Sequence, residues 1–175
     1  LSDTPKDMIP LFETILEYIP APEGDPEAGT QVLISTIDYN EYVGRIGVGK
    51  VDNGTISVNQ EVVLVNHHEP DKQRKVKISK LYEFDGLNKI EVKEAGIGSI
   101  VAISGISEIA IGDTLCSPEN PTPIPFQKIS EPTIAMQFVV NDSPFAGTEG
   151  KYVTSRHLRD RLFRELNTDV SLRVE

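Results

Sequence analysis

Gly44-Arg45-Ile46-Gly47-Val48-Gly49-Lys50-Val51-Asp52-Asn53-Gly54 is the stretch on which the fold turns. It belongs to a short apolar run, Tyr42–Val51, bounded by turn signals, so the segment reads as a strand. It ends in Asn53-Gly54, a strong short hairpin signal, because both residues tolerate positive φ. Its glycines are too sparse to cradle a phosphate, and they do not lie between a strand and a helix.

Outward from this stretch the pattern repeats. Apolar runs at Gln31–Tyr39, Tyr42–Val51, Thr55–Val65, Lys75–Phe84, Ile90–Val92, Ile100–Ser104 and Thr114–Cys116 alternate with turn residues, including Asp85-Gly86. Strand runs spaced by roughly 8–12 residues, with no helical period between them, predict a closed β-barrel over residues 30–117. Closure also removes the sheet edges that would otherwise aggregate.

The flanks differ from this centre. Residues 118–125 hold Pro118, Pro121, Pro123 and Pro125, which predicts an extended, semi-rigid spacer and a domain boundary. Upstream, in residues 1–29, Asp7 can cap a helix running to about Tyr18, with Pro10 in its first turn. Leu11, Phe12, Ile15, Leu16 and Ile19 share one face of that helix, and Pro20–Pro26 cannot continue it. Downstream, in residues 126–175, Thr133–Val140 reads as a strand and Asn141–Gly150 as a polar loop. Thr154 or Ser155 caps a helix to about Leu166, and Val170–Val174 reads as a second strand. Strand, helix, strand predicts a right-handed βαβ crossover, half of a common two-unit module. Its open apolar edge predicts disorder or self-association in isolation.

Composition bounds the function. The chain has 175 residues, 38% of them hydrophobic and 25% charged, as in an ordinary globular protein. No apolar run reaches the roughly 18 residues that span a bilayer, and no signal segment opens the chain. Cys116 stands alone, which excludes an internal disulfide and four-cysteine zinc scaffolds. A cytosolic protein without a membrane partner is expected. The first residue is Leu and the last phrase is Arg173-Val174-Glu175, so a piece of a longer chain is expected. Lys plus Arg is 17 against 27 Asp plus Glu, a net charge of −10. Residues 1–150 hold 11 basic and 23 acidic side chains, net −12, whereas residues 151–175 hold 6 and 4, net +2. An acidic body argues against general polyanion binding, but a basic end can dock on RNA.

No catalytic constellation emerges. His67 and His68 are adjacent, so on an extended segment they diverge, which disfavours a shared metal. Ser155 and His157 diverge on a helix and make a poor nucleophile–base pair. Gly96-Ile97-Gly98 is no phosphate loop, and there is no Gly-x-x-x-x-Gly-Lys-Ser/Thr run. The C-terminal helix carries Arg156, Arg159, Arg161 and Arg164 within nine residues, four planar forks suited to phosphate. A solvated face with local pairs, Asp160 to Arg164 and Arg161 to Glu165, is the other reading, and the residues alone leave both open.

The stretch Gly44–Gly54 resembles the second-domain barrel signature of translational GTPases. So do Ala95-Gly96 with Ile100-Val101-Ala102-Ile103-Ser104-Gly105, and Gly112-Asp113-Thr114-Leu115. Asp38-Tyr39-Asn40-Glu41-Tyr42-Val43-Gly44-Arg45-Ile46-Gly47 is similar to the BipA/TypA family in particular. Asn141-Asp142-Ser143-Pro144-Phe145-Ala146-Gly147, continuing through Glu149–Arg156 to Arg161-Leu162, points the same way. Two positions depart from common relatives: Asn59-Gln60 replaces Gly-Asp, and Ile97-Gly98-Ser99 replaces an acidic loop residue. Asn still tolerates the left-handed turn.

The resemblance implies a mainly β fold. It consists of a translation-factor barrel of the elongation factor Tu domain II type, followed by the first βαβ half of a ferredoxin-like α+β domain. Residues 1–29 would be the last helix and exit linker of a GTPase domain. It further implies a ribosome-associated GTPase linked to large-subunit assembly and to stress or low-temperature growth. GTP and Mg²⁺ would then sit in a domain outside this sequence, and this segment would be non-catalytic, with no cofactor of its own. Its partners would be rRNA and ribosomal proteins, together with its own GTPase and C-terminal domains. Arg45 and Lys50 are the implied barrel contacts, Arg45 being equally readable as a structural ion-pair residue. Lys151, Arg156, Arg159, Arg161 and Arg164 are the implied rRNA or interdomain contacts. Two other readings are a LepA or elongation factor G relative, and a barrel domain of a sulfate-activating enzyme.

Overall fold

In the computed structural model, which describes residues 7–148, 150 and 152–175, two short helices flank ten strands. Helix α1 is Ile9–Tyr18. The strands are β1 (Gln31–Asn40), β2 (Gly44–Asn53), β3 (Ile56–Ser57), β4 (Glu61–Asn66), β5 (Glu69–Lys77), β6 (Lys80–Asp85), β7 (Asn88–Val92), β8 (Glu94–Ala95), β9 (Ile100–Ser104) and β10 (Asp113–Cys116). Helix α2 is Ser155–Glu165. Eight strands form one antiparallel sheet in the order β5-β4-β10-β1-β2-β9-β6-β7, while β3 and β8 pair separately.

The glycines of the opening stretch have a packing reason. β1 slips register between Ile34 and Thr36, pressing its backbone against β2. A Cβ on Gly49 would meet the Leu33 carbonyl, and one on Gly47 would meet the Ile109 side chain. The inner face of the curled sheet buries Val32, Ile34, Val51, Ile56, Val62, Leu64, Ile78, Leu81, Val101, Ile103, Ile109 and Leu115 in one cluster. Each such side chain contributes roughly 1.5–3 kcal/mol on leaving water.

The barrel is not closed by a ladder between the end strands. Instead β5, at one end of the sheet, bends through Ile78 and Ser79 directly into β6, the neighbour of the other end strand β7. Ile78 is fully buried at the bend and exchanges backbone bonds with Asn59 and Gln60, at 2.9 and 3.1 Å.

Several expectations change. Thr55–Val65 divides into β3 and β4, because Asn59 turns the chain at φ 66°. Lys75–Phe84 divides at the bend just described. Asn53-Gly54 does turn, with Gly54 at φ 64°, but it makes no two-residue hairpin. Its amide donates to Asp25 O at 3.0 Å, and β3 goes on to pair with β8. Asp85-Gly86 does make the β6–β7 hairpin, with Asp85 opposite Asn88. The polar residues 66–72, which lie outside the apolar runs, belong in part to β5, which starts at Glu69.

The flanks also differ. Asp7 Oδ1 accepts from Ile9 N at 3.1 Å, but the N-cap position is Met8 and carries no side-chain cap, so Asp7 does not cap α1 as expected, and the apolar residues of α1 are exposed. The proline-rich segment lies along the barrel, and does not project as a spacer. Gln31 Nε2 and the Cys116 thiol donate to Thr122 O at 2.7 and 3.2 Å, and Ile124 N donates to Thr114 Oγ1 at 3.0 Å. Phe126 fills the space over Gly112, and Val63, Val65 and Cys116 form a second small core. Burial there pushes the Cys116 thiol up to about 11. Beyond it, α2 forms as expected, but 133–140 and 170–174 carry no strand pairing. In a split βαβ the two strands flank a third, and these residues supply none to lie between them.

Candidate nucleic-acid interface

Helix α2 starts where Thr154, in extended geometry, accepts from His157 N through its hydroxyl at 3.3 Å. Leu158, Leu162 and Leu166, four apart, are the partly buried side, so the arginines are left outside. The C-terminal end of α2 rests on the barrel. Arg45, half-buried on β2, donates through Nη2 to Leu166 O at 3.1 Å and through Nη1 to Ile109 O at 3.5 Å. A cation at a helix C-terminus faces the negative end of the peptide dipoles, so the arrangement is favourable. Arg164 pairs with Glu41 of the β1–β2 turn. Beside this joint lies a cleft of about 350 Å³, lined by Tyr39, Val43, Arg45, Gly105, Ser107 and Asn167.

The structure thus brings Arg45 and Arg164 together, both engaged by groups of this chain. Arg156 stands 3.9 Å from Asp160, Arg161 pairs with Glu165, and the Arg159 guanidinium lies 5.3 Å over the Phe163 ring. The expected Asp160–Arg164 pair does not form, because Glu41 takes Arg164. These are exposed pairs worth about 0–1 kcal/mol each, so a phosphate can displace them cheaply. Lys50 sits five residues along β2 from Arg45, 3.6 Å from Asp52, apart from the helix. Lys151 lies outside the described residues.

A second basic element was missed by the sequence reading. Residues 72–80, Lys-Gln-Arg-Lys-Val-Lys-Ile-Ser-Lys, hold five cations and no acid. Summing charge over residues 1–150 averaged the run away; a nine-residue window finds it. Its first six residues lie on β5, whose side chains are exposed except for partly buried Val76, and Lys80 opens β6 beyond the bend. Lys72 pairs with Glu69 at 2.8 Å, Arg74 with Glu108, and Lys80 with Glu91 at 3.2 Å. The Lys72 ammonium holds the Glu69 carboxyl below the usual range, and the Glu91 carboxylate raises Lys80. Gly105, Ile106 and Ser107 border both this strand and the Arg45 cleft.

Elsewhere the chemistry is sparse. His68 Nε2 lies 3.1 Å from Phe126 O with its ring against Phe126, while His67 is exposed. Among the described residues no group of three or more His, Cys, Asp or Glu is placed to hold a metal. No helix among them is long and apolar enough to cross a membrane.

Comparison with known proteins fits this architecture. The family profile described as Elongation factor Tu domain 2 matches residues 44–116. A solved structure of translation elongation factor SelB from Methanococcus maripaludis, in its apo form, superposes with a TM-score of 0.50. It is 18% identical, covering 63% of this chain and 22% of that one, a likeness of fold alone. The class is therefore that of translation factors carrying this barrel. Whole-chain relatives narrow it. The protein named Large ribosomal subunit assembly factor BipA in Synechocystis is 52% identical over all 175 residues, 29% of its own length. Proteins of the same name in Bacillus subtilis and Escherichia coli O157:H7 are 46% and 44% identical, over 97% and 99% of this chain and 28% of theirs. The chain belongs to the BipA family, and it spans under a third of the length of these relatives.

Proposed function

We propose that this chain is the non-catalytic, ribosome-docking middle portion of a BipA-type translational GTPase that takes part in large-subunit assembly. The observation that carries the reading is 52% identity over the full 175 residues to a protein bearing that name. GTP and Mg²⁺ belong, in this reading, to a domain outside the sequence. The residues here do not suit them, since no glycine-rich strand-to-helix turn with its lysine is present to hold phosphates. The protein works in the cytoplasm on ribosomal RNA and protein, and stress or cold growth is the setting in which its loss would be felt. The basic face of α2 supplies the RNA contact, and the barrel holds that helix by its C-terminal end through Arg45 and Glu41. The proline segments on either side set the directions in which neighbouring domains leave the barrel.

Co-sedimentation of the chain with ribosomes across a salt series tests this, beside an Arg156→Glu/Arg164→Glu variant. Salt-sensitive pelleting that the variant loses is expected, because phosphate contacts release counterions. A folded chain that stays in the supernatant at low salt would overturn the docking role.

A further inference from the structure

We propose that Asp85-Gly86, at the tip of the β6–β7 hairpin, is a site of spontaneous covalent modification, at which aspartate isomerises to isoaspartate. Such a reaction needs an Asp or Asn side chain next to a residue whose backbone nitrogen can reach it. Glycine is the most permissive neighbour, because it has no Cβ to crowd the approach. The chain holds two such pairs, Asn53-Gly54 and Asp85-Gly86, and Asp142-Ser143 offers the next smallest neighbour. By side-chain chemistry alone Asn53 leads, because asparagine is a thermolabile residue. The fold reverses that order.

At Asn53-Gly54 both reacting groups are held by other partners. Asn53 Nδ2 donates to Gln31 Oε1 at 2.7 Å, and Asn53 Oδ1 accepts from Asp25 N at 3.0 Å. The amide of buried Gly54 donates to Asp25 O at 3.0 Å, and a Cβ there would meet Ala28 O and Thr30 N. At Asp142-Ser143 the Ser143 amide donates to Asn141 Oδ1 at 3.0 Å. Asp85-Gly86 carries none of these restraints. Both residues are exposed, Gly86 turns at φ 59°, and a Cβ on it would meet nothing within 4 Å. The Gly86 amide lies beyond the last pair of the β6–β7 ladder, Asp85 with Asn88, and donates no backbone bond among the described residues. Lys89 is taken by Asp38, and among the described residues no other group bonds the Asp85 carboxylate.

The step balances with water alone. The Gly86 nitrogen attacks Cγ of the protonated Asp85 carboxyl. An N–C bond forms, a C–O bond breaks, and the amide proton and the carboxyl hydroxyl leave together as one water. Water then opens the five-membered imide. Addition at Cγ restores aspartate. Addition at the main-chain carbonyl carbon breaks its bond to Gly86 N and leaves the chain running through Cβ and Cγ, which is isoaspartate. The backbone is then one atom longer at a turn whose length fixes the register of the hairpin. β7 is an end strand held in the ladder by β6 alone, so the product loosens it together with the Lys80–Glu91 and Lys89–Asp38 pairs.

Incubation of the 175-residue chain in neutral buffer for several weeks, followed by peptide mapping with mass spectrometry, tests the assignment. The peptide holding Asp85 is expected to split into a pair of species of one mass, the new one accepting a methyl group from an isoaspartyl methyltransferase. In the folded chain the peptide holding Asn53 is expected to gain the mass of deamidation several-fold more slowly, and in urea to overtake it. Asp85→Ser is expected to abolish methyl acceptance, with a matched melting curve to establish that the variant folds. Deamidation of Asn53 in the folded chain as fast as Asp85 isomerises would overturn the proposal. Methyl acceptance that survives Asp85→Ser overturns it too, as does an Asp85 peptide that stays uniform in the folded chain while isomerising in urea.

Discussion

Asn59 turns the chain between β3 and β4 with φ 66°, the one non-glycine residue at positive φ among those described. A side chain with a Cβ pays roughly 1–2 kcal/mol there, and asparagine offsets part of it with local hydrogen bonding. Asn59→Ala is therefore expected to destabilise the barrel by about 1 kcal/mol, with Asn59→Gly near neutral, in urea denaturation at unchanged slope. Equal stability of the two variants would show that the turn does not depend on this residue's tolerance. The tolerance of Asn59 for a left-handed turn was legible in the sequence, being carried by one residue and its own backbone, but that it divides the run Thr55–Val65 was not. Asn53-Gly54 was legible only in part. Its capacity to turn is local, but its partner, Asp25, arrives from 28 residues upstream, and no dipeptide reports that.

Element by element, legibility followed burial. β1, β2, β9 and β10 put β-branched residues on the inner face, so their apolar runs show in the sequence. β5 has one partly buried side chain in nine, so only its end, Lys75–Lys77, falls in an apolar run, and the rest is recognised as a strand once β4 is seen beside it. Helix α2 was legible from its cap and its leucine spacing, and its arginines were legible as residues. Their partners were not: Glu41 and Arg45 lie more than a hundred residues away. That joint makes its own prediction. The Arg45 guanidinium bonds to carbonyls at both the helix end and the barrel, and bonds from a charged donor contribute about 1.5–3 kcal/mol. Arg45→Ala is expected to raise hydrogen exchange in residues 155–165 roughly tenfold or more, as 1.4 kcal/mol is a factor of ten, with barrel amides unchanged. Exchange that stays at the wild-type rate would remove Arg45 from the joint.

Across the whole molecule, the segments on either side of the barrel are held to it more closely than their composition suggests. A Cβ on Gly98 would strike Pro22, and Phe126 covers Gly112. Replacing Pro121, Pro123 and Pro125 with glycine would free the unfolded chain by about 0.4–1 kcal/mol per site and loosen the cover over Val63, Val65 and Cys116. The barrel's own melting temperature is expected to fall by several degrees; a spacer independent of the barrel would leave it unmoved. Composition reveals the stiffness of such a segment, whereas its attachment depends on Thr114, Gln31 and Cys116, which the sequence does not bring near it. One pairing carries a last consequence. Thr30 N donates to Ser117 Oγ at 2.7 Å, and Ser117 N donates to Thr30 O at 3.0 Å, so the chain enters and leaves the barrel at one point. Tension applied between residues 29 and 118 would run through those two bonds and bypass the eighty-six residues between them, leaving the barrel a passenger that mechanical strain between its neighbours need not unfold.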